Sequence, residues 1–326
     1  MGLKAAVFCP PGLGDGINFF VLSNQLHLNG WHVDTYHNTL GQLQEWLPQL
    51  NALLYPSLSL IYDVLNAYDH FFIAYNDQNT FLLRLVEEGK RRFPDRVHVI
   101  YMMPSKNIVN EPYFSDCLTN PKLSVAENLR VFCASILRLP KITRSSGFIP
   151  PIGLIHRKCP ERIVIHPTSS RRTKNWPREK FVKLALYLQE EGHEIAFALG
   201  SSQEREEWSE MLSLGFSLPV FPTLRCLADY LYESGFLIGN DSGLGHLSSA
   251  LGIPTLTFSR KESFAKMWAP SFTKGAVVYP SPWIPNLSGF RLRDRYWKTF
   301  ISVGKVRRAF ERLKSSIIPI ESFSYR

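Results

Sequence analysis

Residues 236–254 bring together side chains and backbone groups that can bind an anionic ligand. An apolar run breaks into Asn240-Asp-Ser-Gly-Leu-Gly-His246, and a helix-like run follows. This order predicts a strand, a tight turn and a helix start, where the first N–H groups lack partners and the helix dipole is positive. The turn presents backbone N–H groups, one carboxylate (Asp241), one hydroxyl (Ser242) and one imidazole (His246), and we expect it to hold the phosphates of an activated donor.

Hydroxyls and cations follow a second predicted strand, in residues 166–176. The loop contains four hydroxyls, among them those of Thr168 and Ser169, and three cations: Arg171, Arg172 and Lys174. Cations and hydroxyls at this position can neutralise a departing diphosphate. A solvated basic loop is the alternative interpretation.

A third loop, residues 10–16, is rich in glycine and contains one carboxylate, Asp15, beside Gly12 and Gly14. Glycines let the backbone approach a ligand closely, and the carboxylate is suited to act as a general base. Asp15 is equally suited to cap a helix that begins near Ile17. In the same way, Asp241 is a candidate helix cap and His246 a candidate hydrogen-bonded helix residue, and the residue types alone leave these alternatives open.

Strand and helix patterns alternate in two sets, which predicts an α/β protein with parallel sheets covered by helices. Predicted strands are residues 3–8, 31–36, 70–75, 97–102, 162–166, 194–199, 218–221, 236–239 and 255–258. Predicted helices are residues 17–29, 80–91, 177–191, 203–214, 224–234 and 247–251, with a further helix after a capping box at Ser124. Residues 40–69 and 103–121 are predicted loops with short helices.

Four prolines and two glycines break the pattern in residues 140–160, which we interpret as a linker. The predicted domains are residues 1–150, a Rossmann-like acceptor domain, and residues 151–290, a Rossmann-like donor domain. Residues 291–326 form a basic helical segment expected to pack back toward the first domain. Ligands of such sheets bind outside the carboxyl ends of strands, so the three loops are expected to face one cleft.

The composition indicates a folded protein with anionic partners. The chain has 326 residues, 45% hydrophobic residues and a net charge of +9. No apolar run approaches the roughly 18 residues of a membrane span. Five widely spaced cysteines without a C-x-x-C pair favour a reducing cytoplasm over a disulfide framework or a zinc site. The first residues are typical of a strand and not of a signal peptide.

With these motifs in place, residues 5–280 resemble glycosyltransferase family 9, the heptosyltransferases of lipopolysaccharide core assembly. The resemblance rests on Asn240–His246 with its Ala-Leu-Gly-x-Pro continuation, on His166–Lys174 with Trp176-Pro177, and on Gly12-Leu-Gly-Asp15. Thr168-Ser169 is more similar to the first heptosyltransferase than to the second.

The resemblance implies a GT-B fold, which has two Rossmann-like doubly wound domains facing a central cleft. It implies inverting transfer of heptose or a related sugar from a nucleotide-diphosphate donor, such as ADP-heptose, to a lipopolysaccharide-type or other glycan hydroxyl. Asp15 would be the base, Lys174 would stabilise the diphosphate, and Asp241, Ser242, Gly243 and His246 would hold phosphates and sugar. Neither a cofactor nor a metal is expected, and the sequence contains no D-x-D.

Residues 259–262, Ser-Arg-Lys-Glu, depart from the Gly-Pro-Thr turn that the family commonly has, which puts the donor in question. Two other functions are weighed: a nucleotide-sugar epimerase on the same fold, and a non-enzymatic basic protein that binds a membrane surface. The charge and a lipid-linked acceptor predict a cytoplasmic protein, peripheral on the anionic inner membrane face. No nucleic-acid partner is expected, because no recognised binding motif is present.

Overall fold

The computed structural model describes residues 2–102, 120–286 and 291–317. The chain divides into two compact units: Met1–Gly153 with Thr223–Arg225, and Leu154–Pro222 with Cys226–Arg326. Each unit contains one five-stranded sheet in which every pairing is parallel. The predicted pair of parallel-sheet α/β domains is confirmed. Most of the predicted loop at residues 103–121 lies outside the described residues.

The first sheet has the strand order β3-β2-β1-β4-β5. Its strands are β1 (Lys4–Phe8), β2 (His32–Tyr36), β3 (Asn51–Leu53), β4 (His70–Ala74) and β5 (Val97–Ile100). Its helices are α1 (Leu13–Leu28), α2 (Ile61–Asn66), α3 (Thr80–Arg92) and α4 (Val125–Ser135). The order reverses direction between β1 and β4, and ligands of doubly wound sheets bind at the carboxyl ends of strands at such a switch point.

The second sheet has the order β10-β9-β8-β6-β7. Its strands are β6 (Cys159–His166), β7 (Glu194–Phe197), β8 (Ser234–Asn240), β9 (Thr255–Phe258) and β10 (Gly275–Val278). The helices of this half are α5 (Arg178–Glu190), α6 (Ser202–Glu207), α7 (Leu224–Tyr232), α8 (Gly243–Ala250), α9 (Glu262–Trp268), α10 (Leu292–Arg295), α11 (Trp297–Phe300) and α12 (Val303–Ser315). The switch point lies between β6 and β8, the strands that precede the two polar loops predicted for this half.

Two helices begin earlier than the sequence predicts. Helix α1 begins at Leu13 instead of Ile17, and α8 begins at Gly243 instead of Leu247. Their caps are Gly12 and Ser242, so neither Asp15 nor Asp241 is a helix cap. Both helix starts contain glycines, which are weak helix formers, and these residues were therefore predicted to be loop. By contrast, Ser124 accepts a hydrogen bond from the Glu127 N–H as the capping box predicts.

Other differences concern short elements. The predicted strand at residues 218–221 is wrong: Ser217 alone bridges to Ala196, because Pro219 and Pro222 cannot donate to a ladder. The edge strands β3 and β10 were not predicted, since runs of three and four residues carry little periodic signal.

The described part of the basic segment, residues 291–317, packs within the second unit. The buried face of α12 consists of Val306, Ala309, Phe310 and Leu313, which join the core of the second sheet. The α11 end is held by Lys180, whose Nζ donates to the carbonyls of Lys298, Thr299 and Ile301 at 2.9–3.0 Å. An amphipathic helix must bury its apolar face, and the sequence does not show which sheet covers it.

Candidate functional site

The two polar loops of the second unit lie side by side because β6 and β8 are neighbours in register. His166 pairs with Gly239 at their carboxyl ends. A Cβ on Gly239 would lie 2.6 Å from the His166 carbonyl oxygen, so the close approach of the two strand ends requires glycine there. Residues 167–176 and the Asp241–Ser242 turn therefore emerge from adjacent positions of one sheet edge.

Asn240 closes the first of these loops. Its buried side-chain oxygen accepts a hydrogen bond from the Trp176 N–H at 2.8 Å, and its amide donates to the Pro167 carbonyl at 2.7 Å. One side chain thus satisfies backbone groups at both ends of the loop that contains Lys174. Asn240 stands within the predicted motif, but no role was predicted for it; its position at a strand end, directly before Asp241, was the available signal.

Lys174 and Asp241 come together at this edge. The Lys174 Nζ lies 3.9 Å from the Asp241 Oδ2, and both side chains are partly exposed. Desolvation raises the pKa of Asp241, and the nearby ammonium of Lys174 opposes that effect. The pair places a cation where a diphosphate can reach it and a carboxylate that can accept hydrogen bonds from a hydroxyl-rich ligand.

The start of α8 adds hydrogen-bond donors. Ser242 caps the helix in an extended conformation without using its side chain. Its Oγ is buried and has no hydrogen-bond partner among the described residues. Buried hydroxyls normally have partners, so an unpaired one beside a helix N-terminus is consistent with a site for an anion. Gly243 is the first helical residue.

The remaining residues of the predicted donor site are buried or make contacts within the protein. Ser169 Oγ lies 2.6 Å from the Asn175 Oδ1, which folds the loop on itself, while Thr168 is buried. Arg172 pairs with Glu207. His246 is buried, and desolvation lowers its pKa to about 4 against a backbone hydrogen bond at Trp268. This geometry matches the alternative of a hydrogen-bonded helix histidine, with a neutral ring that packs α8 against the end of α9.

Residues 259–262 follow β9 on the same sheet edge. Lys261 pairs with the largely buried Asp294 at 2.8 Å, which fixes this segment to α10. A small recess beside it is lined by Asp241, Thr257, Ser259, Phe264 and Trp268, among others. The segment that departs from the family pattern therefore borders the same recess as Asp241.

In the first unit, Asp15 lies in the first turn of α1, with its Oδ2 2.9 Å from the position that a Cβ on Gly12 would occupy. The carboxylate is partly exposed at the positive end of the helix, and Gly14 beside it is buried. Asp15 thus follows the carboxyl end of β1, one of the two strands at the switch point of the first sheet. Ligands of doubly wound sheets bind at such a position.

His37 contacts the turn at Gly12 and the start of α1 at Gly16, and this role was not predicted from the sequence. The buried ring accepts hydrogen bonds from the Thr39 and Leu40 N–H groups at Nδ1, at 3.0 and 3.2 Å, and donates from Nε2 to the Gly12 carbonyl at 3.3 Å. A Cβ on Gly16 would lie 2.7 Å from this ring. A polar residue directly after β2 was the only sequence signal for this role.

Neither a metal-binding cluster nor a membrane-spanning helix is found among the described residues. Residues 2–102, 120–286 and 291–317 contain no group of three or more His, Cys, Asp or Glu that could hold a metal ion. Within the same ranges, every helix is too short or too polar to cross a bilayer.

The family match to known proteins lies in residues 154–275, almost all of which belong to the second unit. A family model described as glycosyltransferase family 9 (heptosyltransferase) matches residues 154–275. Lipopolysaccharide heptosyltransferase 1 of Pseudomonas aeruginosa is 32% identical over 101 residues, which are 30% of this chain and 28% of that protein. The corresponding enzyme of Escherichia coli K12 is 34% identical over 98 residues, 29% of this chain and 30% of that protein. The aligned stretch thus spans less than a third of these curated relatives.

The fold is shared over nearly the whole chain. The structure of E. coli heptosyltransferase WaaC with ADP has a TM-score of 0.67 at 16% identity and covers 95% of this chain and 100% of that chain. At this identity, the likeness shows the fold. The resemblance predicted from the sequence is confirmed by these matches.

Proposed function

We propose that this protein is an inverting glycosyltransferase, because a family model described as glycosyltransferase family 9 (heptosyltransferase) matches residues 154–275. It transfers heptose or a related sugar from a nucleotide-diphosphate donor to a hydroxyl of a lipopolysaccharide-type or other glycan acceptor. The observation that carries the proposal is the Lys174–Asp241 pair beside the α8 start, where the Ser242 hydroxyl is buried without a partner.

On the donor side, the ammonium of Lys174, the Ser242 hydroxyl and the first N–H groups of α8 face the diphosphate. These groups stabilise the negative charge that grows on the leaving group as its bond to the anomeric carbon breaks. Asp241 accepts hydrogen bonds from donor hydroxyls, since a carboxylate is a poor neighbour for phosphate but a strong acceptor. Thr168 and Ser169 shape the loop, and His246 positions α8.

On the acceptor side, Asp15 removes the proton from the acceptor hydroxyl. The resulting oxygen attacks the anomeric carbon as the diphosphate departs, and a single displacement of this kind inverts the configuration. Gly12 and Gly14 let the acceptor approach the backbone at the start of α1. ADP-heptose is the proposed donor, with neither a metal nor a cofactor required.

The decisive experiment incubates the full chain with a panel of nucleotide-diphosphate sugars that includes ADP-heptose, with and without a glycan acceptor. We expect nucleoside diphosphate release that depends on acceptor, an inverted linkage in the product, and full activity in EDTA. Acceptor-independent conversion of the donor sugar would instead identify the epimerase. Absence of donor binding across the panel would overturn the proposal in favour of a non-enzymatic binding protein.

The chain is proposed to act in the cytoplasm, peripheral on the inner membrane face, on a lipid-linked acceptor. The net charge of +9 supports attraction to anionic lipid. Nucleic acid is not a proposed partner.

A further inference from the structure

An open groove lies on the outer side of α12, where it passes Tyr187 of α5. Its volume is about 530 Å³. The lining consists of an aromatic ring, a glycine, three arginines and one glutamate: Tyr187, Gly304, Arg307, Arg308, Glu311 and Arg312. Tyr187 is nine residues beyond the first residue of α5, which places the groove roughly 13 Å along that helix from the loop that contains Lys174.

The groove is positively charged and its arginines are available. Arg307 lies over the ring of Tyr187, which holds its guanidinium in place. Arg308 and Arg312 are exposed and one helical turn apart, so their side chains project from the same face. In residues 291–317 and the other described ranges, none of these three arginines forms an ion pair. Glu311 is the one acid among the described residues that line the groove.

The other face of α12 is already occupied. Val306, Ala309, Phe310 and Leu313 are buried in the second core. The helix therefore cannot insert apolar side chains into a bilayer, and any contact through its outer face is electrostatic. Two further cations are held inward: Lys305 donates to the Tyr279 carbonyl, and Lys314 to His193.

Building on the peripheral membrane location proposed above, we propose that this arginine groove is the surface that docks the protein, by binding the headgroups of anionic phospholipids. Guanidinium groups match phosphate geometry, and an open, charged groove suits a plane of many headgroups better than a single enclosed metabolite. Single-stranded nucleic acid is disfavoured because Tyr187, the one aromatic ring among the described residues that line the groove, already has the Arg307 guanidinium over it.

The test is co-sedimentation of the full chain with phosphatidylglycerol vesicles and with phosphatidylcholine vesicles. We expect binding to the anionic vesicles only, lost at about 0.5 M salt as screening predicts. Arg308→Glu/Arg312→Glu should weaken binding by at least about tenfold, and Arg308→Gln/Arg312→Gln by less. The matched control is Lys122→Glu/Lys141→Glu, which makes the same charge change at two exposed lysines of the first unit and should retain binding within about twofold.

Three results would overturn the proposal. Equal loss in both double variants would show attraction by net charge alone. Thermal stabilisation by inorganic pyrophosphate that depends on Arg308 and Arg312, without vesicle binding, would show a soluble-phosphate site. Arginine-dependent binding of a short RNA without vesicle binding would show a nucleic-acid surface. No catalytic assay is involved, so failure of the proposed transferase and failure of this surface are distinguishable.

Discussion

The side-chain oxygen of Asn240 accepts a hydrogen bond from the backbone N–H of Trp176, 64 residues earlier in the chain. The same side chain donates to the Pro167 carbonyl, so one buried amide holds both ends of the loop that presents Lys174. Asp241, which pairs with Lys174, follows Asn240 directly in the chain. The hydrogen bonds of Asn240 therefore hold the Lys174 loop next to Asp241. The geometry of the ion pair therefore depends on a residue that need not touch the ligand.

Asn240→Ala should destabilise the protein and weaken donor binding. It leaves a buried N–H and a buried carbonyl without partners, which costs about 2–4 kcal/mol of unfolding free energy in total. Urea unfolding and donor titration measure the two effects. The control is Asn51→Ala, which removes an exposed hydrogen bond to Asp34 and should change stability by less than about 1 kcal/mol. Unchanged donor affinity in a folded Asn240→Ala protein would contradict the proposed role.

Asp15→Asn should lower kcat by about 10²–10⁴-fold, the usual contribution of a general base, while donor affinity stays unchanged. Steady-state kinetics with the active donor and isothermal titration separate the two quantities. Asp63→Asn changes an exposed carboxylate of α2 in the same unit and should leave both unchanged. Turnover of Asp15→Asn at the wild-type rate would remove Asp15 from the base role.

The strands and polar loops of this site can be predicted from the sequence. The side chains that hold the loops in place, Asn240 and His37, cannot be assigned that role from the sequence alone. Apolar runs that end in Gly, Asp and Ser predict β6, β8 and the residues that follow them. Asn240 and His37 bond backbone groups that are distant in the sequence: the Trp176 N–H is 64 residues from Asn240, and the Gly12 carbonyl is 25 residues from His37. The type of an Asn or His side chain does not indicate which distant group it will bond. The start of α8 was misplaced because Gly243 and Gly245 are weak helix formers that tertiary packing accommodates.

Lys174→Ala should weaken donor binding by about 10–100-fold, since it removes a charge-assisted contact to the diphosphate. Stability should change by less than about 1 kcal/mol, because the ion pair with Asp241 is partly exposed. Arg172→Ala is the matched control in the same loop, as Arg172 is turned to Glu207 and should leave donor affinity nearly unchanged. If both variants weaken binding equally, the loop acts through its net charge and the specific role of Lys174 is wrong.

Gly16→Ala tests whether His37 packs against α1. Alanine favours the helix by about 1 kcal/mol, but its Cβ would lie 2.7 Å from the His37 ring, and overpacking costs about 1–3 kcal/mol. We expect Gly16→Ala to destabilise the wild-type protein and to stabilise the His37→Ala variant by up to about 1 kcal/mol. A double-mutant cycle of unfolding free energies measures this change of sign. Additive effects would show that the ring and the helix do not restrict each other.

The stability of the protein should fall as pH decreases from 7 toward 4, and His246 should account for a measurable part of the slope. Desolvation lowers its folded pKa to about 4, against 6.5 in the unfolded chain. Between these values the unfolded state binds more protons, so the stabilisation is complete above pH 6.5 and decreases by about 2 kcal/mol at pH 5. Burial also lowers the pKa values of His37 and His166, which act in the same direction. Urea unfolding between pH 7 and 5 should show a smaller slope for His246→Gln than for wild type. An unchanged slope in His246→Gln would show that its ring is not the buried neutral group.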